Sequence, residues 1–316
     1  MRIDVHAHHL PARYVKLLKE AGGPAGAAHD RSTLKRMVEA QDAGGIDVQV
    51  LSSGPNSPYL RDPAAANVAA RTINDAYKGV VDSFGGRFAA YASLPLPHAE
   101  LATREALRAL DELDFAGVYM GCSALGRSLD DPAYDELWCE LDRREAVIYV
   151  HPGGIVVGTE PGQAGMDDPV VAVTIGSAAE IATAALRLTA VARRYQRVRV
   201  IIGLLGGSLP FLLQRVLLAA GMGKRPSALF PKTERGGDVI ALLRSFYYDV
   251  NLLPDPAVVG SAVAAYGLDR LVFGSDSPTG SPLGVREFLC AGGLGNKECD
   301  AVVEGGGRVF HNLTHV

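Results

Sequence analysis

The chain has few of the features that mark non-globular or secreted classes. Only four cysteines occur, Cys122, Cys139, Cys290 and Cys299, and none forms a CxxC pair. That spacing excludes a dense disulfide framework, and the simplest reading is four reduced thiols in a cytoplasmic protein. There is no excess of basic charge: 31 Lys plus Arg stand against 35 Asp plus Glu, a formal net charge of -4. With no basic tract either, nothing supports nucleic acid as a partner. Long apolar runs are missing as well. Even "VTIGSAAEIATAALRLTAVARR" is broken by small and charged residues, so no membrane span is expected. Arg2 and Asp4 interrupt the opening "MRIDVHAHH", which gives no export signal. No G-x-G-x-x-G follows the first apolar run, and "GLLGG" is a poor substitute for a dinucleotide-binding turn.

What is present is a rhythm. Short runs rich in β-branched residues, at Arg2–Val5, Asp47–Leu51, Phe88–Tyr91, Gly117–Tyr119, Val147–Val150, Val198–Ile202, Phe246–Val250 and Leu271–Phe273, alternate with segments of helical spacing. The helical segments span 31–43, 64–83, 98–112, 132–143, 169–190, 208–220, 256–266 and a C-terminal group from 284. Brief Val- and Ile-rich runs favour buried strands, and Ala- and Leu-rich intervals favour helix. Eight strand–helix units suggest a (β/α)8 TIM barrel over 1–316 as a single domain, with an open doubly wound sheet as the competing arrangement. Two stretches break the rhythm: 153–168, "GGIVVGTEPGQAGMDD", reads as a loop over the active-site mouth, and 221–237, "GMGKRPSALFPKTERGG", as a surface excursion.

Chemistry gathers at the expected strand ends. In "IDVHAHHLP", His6 and His8 form an H-x-H pair just past the first strand candidate. Strand periodicity turns both imidazoles to one side, whereas His9 points elsewhere and is expected to support a turn or a ligand rather than to be one. His151 follows the fifth strand candidate in "IYVHPGG", and Asp276 follows the eighth in "RLVFGSDSPTG". In a barrel these four fall at one end and supply three nitrogens and one oxygen. That donor set suits a divalent ion, with zinc the first expectation and manganese the second. His98, after "LPLP", reads as a helix-start residue.

The ordered set "IDVHAHHLP", "YASLPLPHAELATREALRAL", "GVYM", "LDDPAYDELWCEL", "VIYVHPGG", "FYYDV" and "YGLDRLVFGSDSP" resembles the decarboxylase-like branch of the amidohydrolase superfamily over nearly the whole chain. This branch includes aminocarboxymuconate-semialdehyde and γ-resorcylate decarboxylases. The resemblance implies a metal-dependent barrel, metal ligands at His6, His8, His151 and Asp276, and assembly as a homodimer or higher homo-oligomer. It further implies that Arg215, in "LPFLLQR", contacts a substrate carboxylate in a neighbouring subunit's site. The chain departs from the branch at Leu204, in "IIGLLGGSLP", where relatives carry a catalytic histidine. Leucine neither takes a proton from water nor donates a hydrogen bond, so Leu204 is expected to line a drier, more apolar substrate site.

The resulting expectation is a carbon–carbon lyase that decarboxylates a small aromatic or unsaturated carboxylic acid, with Asp276 moving the proton. A metal-dependent cyclase or isomerase, a metal-assisted hydrolase and a non-catalytic binding protein are the alternatives that Leu204 keeps open.

Overall fold

The computed structural model describes residues 1–153, 169–221, 236–251, 257–311 and 313. The expected mouth loop 153–168 and excursion 221–237 therefore lie outside the described residues apart from their ends. Eight strands form one parallel sheet in sequential order: β1 (Ile3–His8), β2 (Val48–Ser52), β3 (Phe88–Ser93), β4 (Gly117–Gly121), β5 (Val147–His151), β6 (Arg199–Ile202), β7 (Tyr247–Val250) and β8 (Leu271–Phe273). The sheet closes on itself just beyond β8. Ala7 pairs with Ser277, the Asp276 N–H donates to the His6 carbonyl at 2.8 Å, and the His8 N–H donates to the Ser277 carbonyl at 2.7 Å. This is the expected (β/α)8 barrel rather than an open sheet.

The helices in the surrounding layer are α1 (Ala12–Glu20), α2 (Arg31–Gly44), α3 (Pro63–Ser83), α4 (Ala99–Asp111), α5 (Asp135–Arg143), α6 (Ser177–Arg194), α7 (Leu209–Gly221), α8 (Gly236–Leu243), α9 (Ala257–Tyr266), α10 (Val285–Ala291) and α11 (Asn296–Val303). Their starts follow local chemistry. Asp30 accepts from Thr33 N ahead of α2, and Asp62 accepts from Ala65 N ahead of α3, which opens on Pro63. Helix α1 escapes the sequence pattern: it has no side-chain cap and is held by burial of Tyr14, Val15 and Leu18.

The core has two layers. Ile3, Val5, Val48, Val50, Tyr91, Tyr149, Ile201 and Val272 pack inside the barrel, while Leu51, Ala90, Val118, Ile148, Val200 and Val250 pack outward against the helices. Alternation along each strand produces this division. Strand β1 breaks it once. Ile3 pairs with Val48 but Ala7 with Leu51, so β1 holds one extra residue between Asp4 and Ala7. The bulge reverses the alternation: Ile3 and Val5 face inward, Ala7 faces the helices, and His6 and His8 are turned into the barrel. At the opposite end, Val309, Phe310 and Leu313 fill the barrel floor, with Phe310 against Tyr91.

One expectation is corrected. Cys290 and Cys299 pair as a disulfide across the turn between α10 and α11, with Cα atoms 6.2 Å apart, leaving Cys122 and Cys139 as the free thiols. Nine residues of helical hairpin bring the two together, a proximity that spacing along the chain does not reveal. The segment Ala172–Arg194 is, by length and composition, long and apolar enough to cross a membrane despite its charges. In the barrel, however, its Ile181, Ala185, Leu188 and Val191 are buried in the core.

Beneath the bulge, fully buried Asp4 collects four donors: Ser275 N at 2.9 Å, Ser275 Oγ at 2.6 Å, Gln49 Nε2 at 2.8 Å and His6 N at 3.1 Å. Burial is the largest influence on this carboxyl and pushes it up to about 6, against those hydrogen bonds. A carboxyl raised in the folded state stabilises the fold while it is protonated. Its contribution is whole below about pH 4 and is lost as pH climbs through about 6. Wild-type stability relative to Asp4→Asn should therefore decline by about 3 kcal/mol across that interval, as read from urea midpoints. A flat difference between the two proteins would refute this account of Asp4.

Candidate metal centre

Four side chains meet at the carboxyl-terminal end of the barrel. His6 and His8 come from β1, His151 is the last residue of β5, and Asp276 follows β8. Their potential ligand atoms all lie within 4.8 Å of one another. His6 Nε2 and His8 Nε2 are 3.1 Å apart, and Asp276 Oδ1 is 3.3 Å and 2.9 Å from them. The three imidazole centroids are mutually separated by 4.9 to 5.0 Å. The sequence placed these histidines after their strands; in the structure His6 and His8 lie within β1, and His151 closes β5. Ladder pairing such as His8 with Ser52 carries the strands past their apolar runs.

The outer nitrogen of each ring fixes the tautomer. His6 Nδ1 donates to Asp249 Oδ2 at 2.6 Å. His151 Nδ1 donates to the Pro152 carbonyl at 2.6 Å. The Ser52 hydroxyl donates to the Ala7 carbonyl at 3.3 Å, which leaves its oxygen to accept from His8 Nδ1 at 2.9 Å. With every Nδ1 committed as a donor, each Nε2 faces inward and presents a lone pair whenever its ring is neutral. Three lone pairs and a carboxylate oxygen crowded together repel unless positive charge sits among them. The donor set fits a divalent cation: His8 and His151 are neutral, Asp276 is ionised, and the cation would take the place of the proton that the two carboxylates hold on His6.

Charge in the side chains reflects the same demand. Burial disfavours a charged His6, yet Asp249 and Asp276 outweigh it and push the ring up to about 10. Burial is likewise the largest influence on His8 and His151. It lowers both, His151 well below the usual imidazole range with His6 and His8 adding to the effect. Asp276 is held well below the usual carboxylate range: burial opposes ionisation, but His6 and His8 prevail. Its backbone is also constrained, with φ at 59°, a left-handed conformation uncommon for a residue with a side chain.

The remaining expected residues are spread more widely. His9 points away from the four, its carbonyl accepting from Tyr77 OH at 2.8 Å and its ring 5.9 Å from that of His29. Leu204 does not extend β6. It lies two residues past Ile202, half-buried, in a turn where both it and Leu205 adopt positive φ. Arg215 is exposed on α7, outside this chain's own four-residue cluster, and makes no hydrogen bond or ion pair among the described residues. His98 does precede a helix, α4, and its Nε2 bonds the Leu60 carbonyl at 2.9 Å.

Sequence reasoning missed Asp249. This fully buried carboxylate receives His6 Nδ1 and, at 2.9 Å, Tyr149 OH on the same oxygen. The available signal was a single acid inside the strand run "FYYDV", since an enclosed carboxylate requires partners. Gly274 on the neighbouring strand makes room for it: a Cβ there would lie 2.8 Å from Asp249 Oδ2 and 2.9 Å from His6 Cβ.

Comparison with known proteins places these features in context. The family model described as Amidohydrolase matches residues 3–282. A 6-methylsalicylic acid decarboxylase of Aspergillus aculeatus is 29% identical over 291 residues, covering 88% of this chain and 84% of its own. The structure of 2,6-dihydroxybenzoate decarboxylase from Rhizobium superposes with a TM-score of 0.81 at 21% identity, covering 98% of both chains. A dihydroxybenzoic acid decarboxylase from Polaromonas sp. JS666, with bound manganese and the inhibitor 2-nitroresorcinol, gives 0.79 at 21% identity, covering 100% of this chain and 99% of that one. At those identities the structural likeness is one of fold.

Asp249→Asn weakens the partner that orients His6. It should lower divalent-metal affinity by about 10–100-fold in chelator competition while leaving the fold intact. Wild-type affinity in that variant would remove Asp249 from the metal centre.

Proposed function

The chain belongs to the amidohydrolase family, and from that premise we propose that it is a metal-dependent carbon–carbon lyase that decarboxylates a small aromatic carboxylic acid. The observation that carries the proposal is the convergence of His6, His8, His151 and Asp276 within 4.8 Å, with each imidazole presenting Nε2 to the others. Those four residues would hold the ion. When bound, a divalent cation supplies a Lewis acid that anchors and polarises the oxygens of an acid substrate. Zinc and manganese both accept this donor set. Manganese is our choice for the working ion, because a carboxylate and a ring hydroxyl are hard oxygen donors and because the Polaromonas relative contains it.

The protein's part is to orient the acid and to move one proton. Asp276, 31% exposed at its side chain, is the cluster member that opens toward the barrel mouth. It takes a proton from a ring hydroxyl and returns it to the ring carbon bearing the carboxylate. The carbon–carbon bond then breaks, its electron pair returns to the ring, carbon dioxide leaves, and the ring oxygen regains a proton from solvent. Ser52, Asp249 and the Pro152 carbonyl hold the histidines in one tautomer throughout. Leu204, in the turn after β6 and packed against the outer core, offers no proton acceptor at the position where a hydrolytic enzyme would need one. This residue disfavours hydrolysis and suits a ring substrate.

We further propose that the chain self-associates. On α7, Phe211 is 88% exposed and Leu218 67% exposed, and Val173 and Ile175 near the start of α6 are exposed as well. Covering them with a second copy would remove a substantial apolar surface from water. Arg215 lies on the same helix, available to a carboxylate in the neighbouring copy. Phe211→Asp combined with Leu218→Lys should shift the sedimenting species to the monomer, and an unchanged oligomer would exclude this face.

Carbon dioxide release from hydroxybenzoic acids tests the activity. Chelator treatment should reduce it to background and added manganese should restore it. Asp276→Asn should lower kcat/KM by at least about 100-fold. Full turnover after metal stripping would defeat the proposal, and a product of unchanged mass would indicate cyclisation or isomerisation instead.

A further inference from the structure

Strand β7 carries one more inward-facing polar residue than the metal centre uses. Tyr247 packs with the barrel interior and Asp249 binds His6, while Tyr248 and Val250 pack outward among the helices. The ladder continues to the end of the strand: Val250 pairs with Phe273, and its carbonyl accepts from Gly274 N at 3.3 Å. Alternation therefore turns Asn251 inward, about 7 Å nearer the mouth than Asp249.

Asn251 is only 4% exposed, and its side-chain Oδ1 is enclosed without a hydrogen-bond partner. Its side chain makes no hydrogen bond among the described residues. Continued register sets it beside Gly274, which has no side chain, and on its other flank the β6 end leads into Leu204 and Leu205. Neither side supplies a partner. A buried amide in such a position is normally completed by water or a ligand.

Resting on the decarboxylase reading above, we infer that Asn251 recognises a ring hydroxyl of the aromatic acid, one other than the oxygens anchored at the metal. The chemistry selects that group. A neutral amide offers one acceptor and two donors, and a hydroxyl both donates and accepts. A carboxylate only accepts, is repelled by the amide oxygen, and would lie close to the Asp276 carboxylate. Asn251 is thus a specificity-determining substrate contact, and it supplies polar recognition on the side of the mouth where Leu204 supplies none.

The test compares two acids that differ at one ring position, hydroxyl against methyl, in wild type and in Asn251→Leu. Wild type should favour the hydroxylated acid in kcat/KM by about tenfold or more, and Asn251→Leu should bring the ratio to about one or invert it. Metal content and melting temperature should match wild type. A merely structural role would depress both acids together, and an unchanged ratio overturns the inference. If the leucine variant fails to fold, Asn251→Ser, which keeps a hydroxyl, should give an intermediate ratio, and a wild-type ratio there overturns it equally. Calorimetric binding of the corresponding unreactive nitrobenzene analogues reads the same preference without turnover. Absence of carbon dioxide release with a preserved binding preference would therefore sink the decarboxylase reading, whereas turnover without the preference would sink the role of Asn251.

Discussion

The seam that closes the barrel is also the frame of the metal centre. Asp276 N bonds the His6 carbonyl and His8 N bonds the Ser277 carbonyl, so the backbone contacts joining the last strand to the first pass through three of the four converging residues. Closure and site geometry are consequently one constraint. A barrel that failed to close would separate Asp276 from both histidines of β1, and the fourth donor, His151 on β5, would face an incomplete set. Asp4 reinforces this seam from the helix side by binding Ser275 through both its backbone and its hydroxyl.

Around that seam the structure holds groups that do not favour one another's company. Three imidazole rings, the Asp276 carboxylate and the buried Asp249 carboxylate occupy a region from which much of the water is excluded. Such an arrangement persists because outer partners leave each ring one usable orientation. The positive φ of Asp276 and of Leu204 and Leu205 belongs to the same pattern, with strained backbone at the mouth and regular, apolar strands below it.

Much of this could be read from the chain. Short runs of three to five residues marked all eight strands, because a strand covered on both faces needs little polarity. His6, His8, His151 and Asp276 stood out because polar residues interrupted that pattern at corresponding places. The β1 bulge could not be read: one inserted residue leaves no compositional trace, yet it turns His6 and His8 inward below an outward-facing Ala7. Asp249 and Asn251 were hidden for a related reason. Their importance comes from which side of β7 they occupy, and strand direction is fixed by pairing with β6 and β8 rather than by local sequence. The Cys290–Cys299 pair likewise depends on how α10 folds back on α11.

The floor of the barrel has its own consequence. Phe310 against Tyr91, with Val309 and Leu313 beside them, stops the interior opposite the metal centre, and Arg199 clasps the Val309 carbonyl at 3.1 Å. Among the described residues, the barrel interior is closed at this end. That plug leaves the carboxyl-terminal end of the barrel as the side from which a substrate reaches the four converging residues.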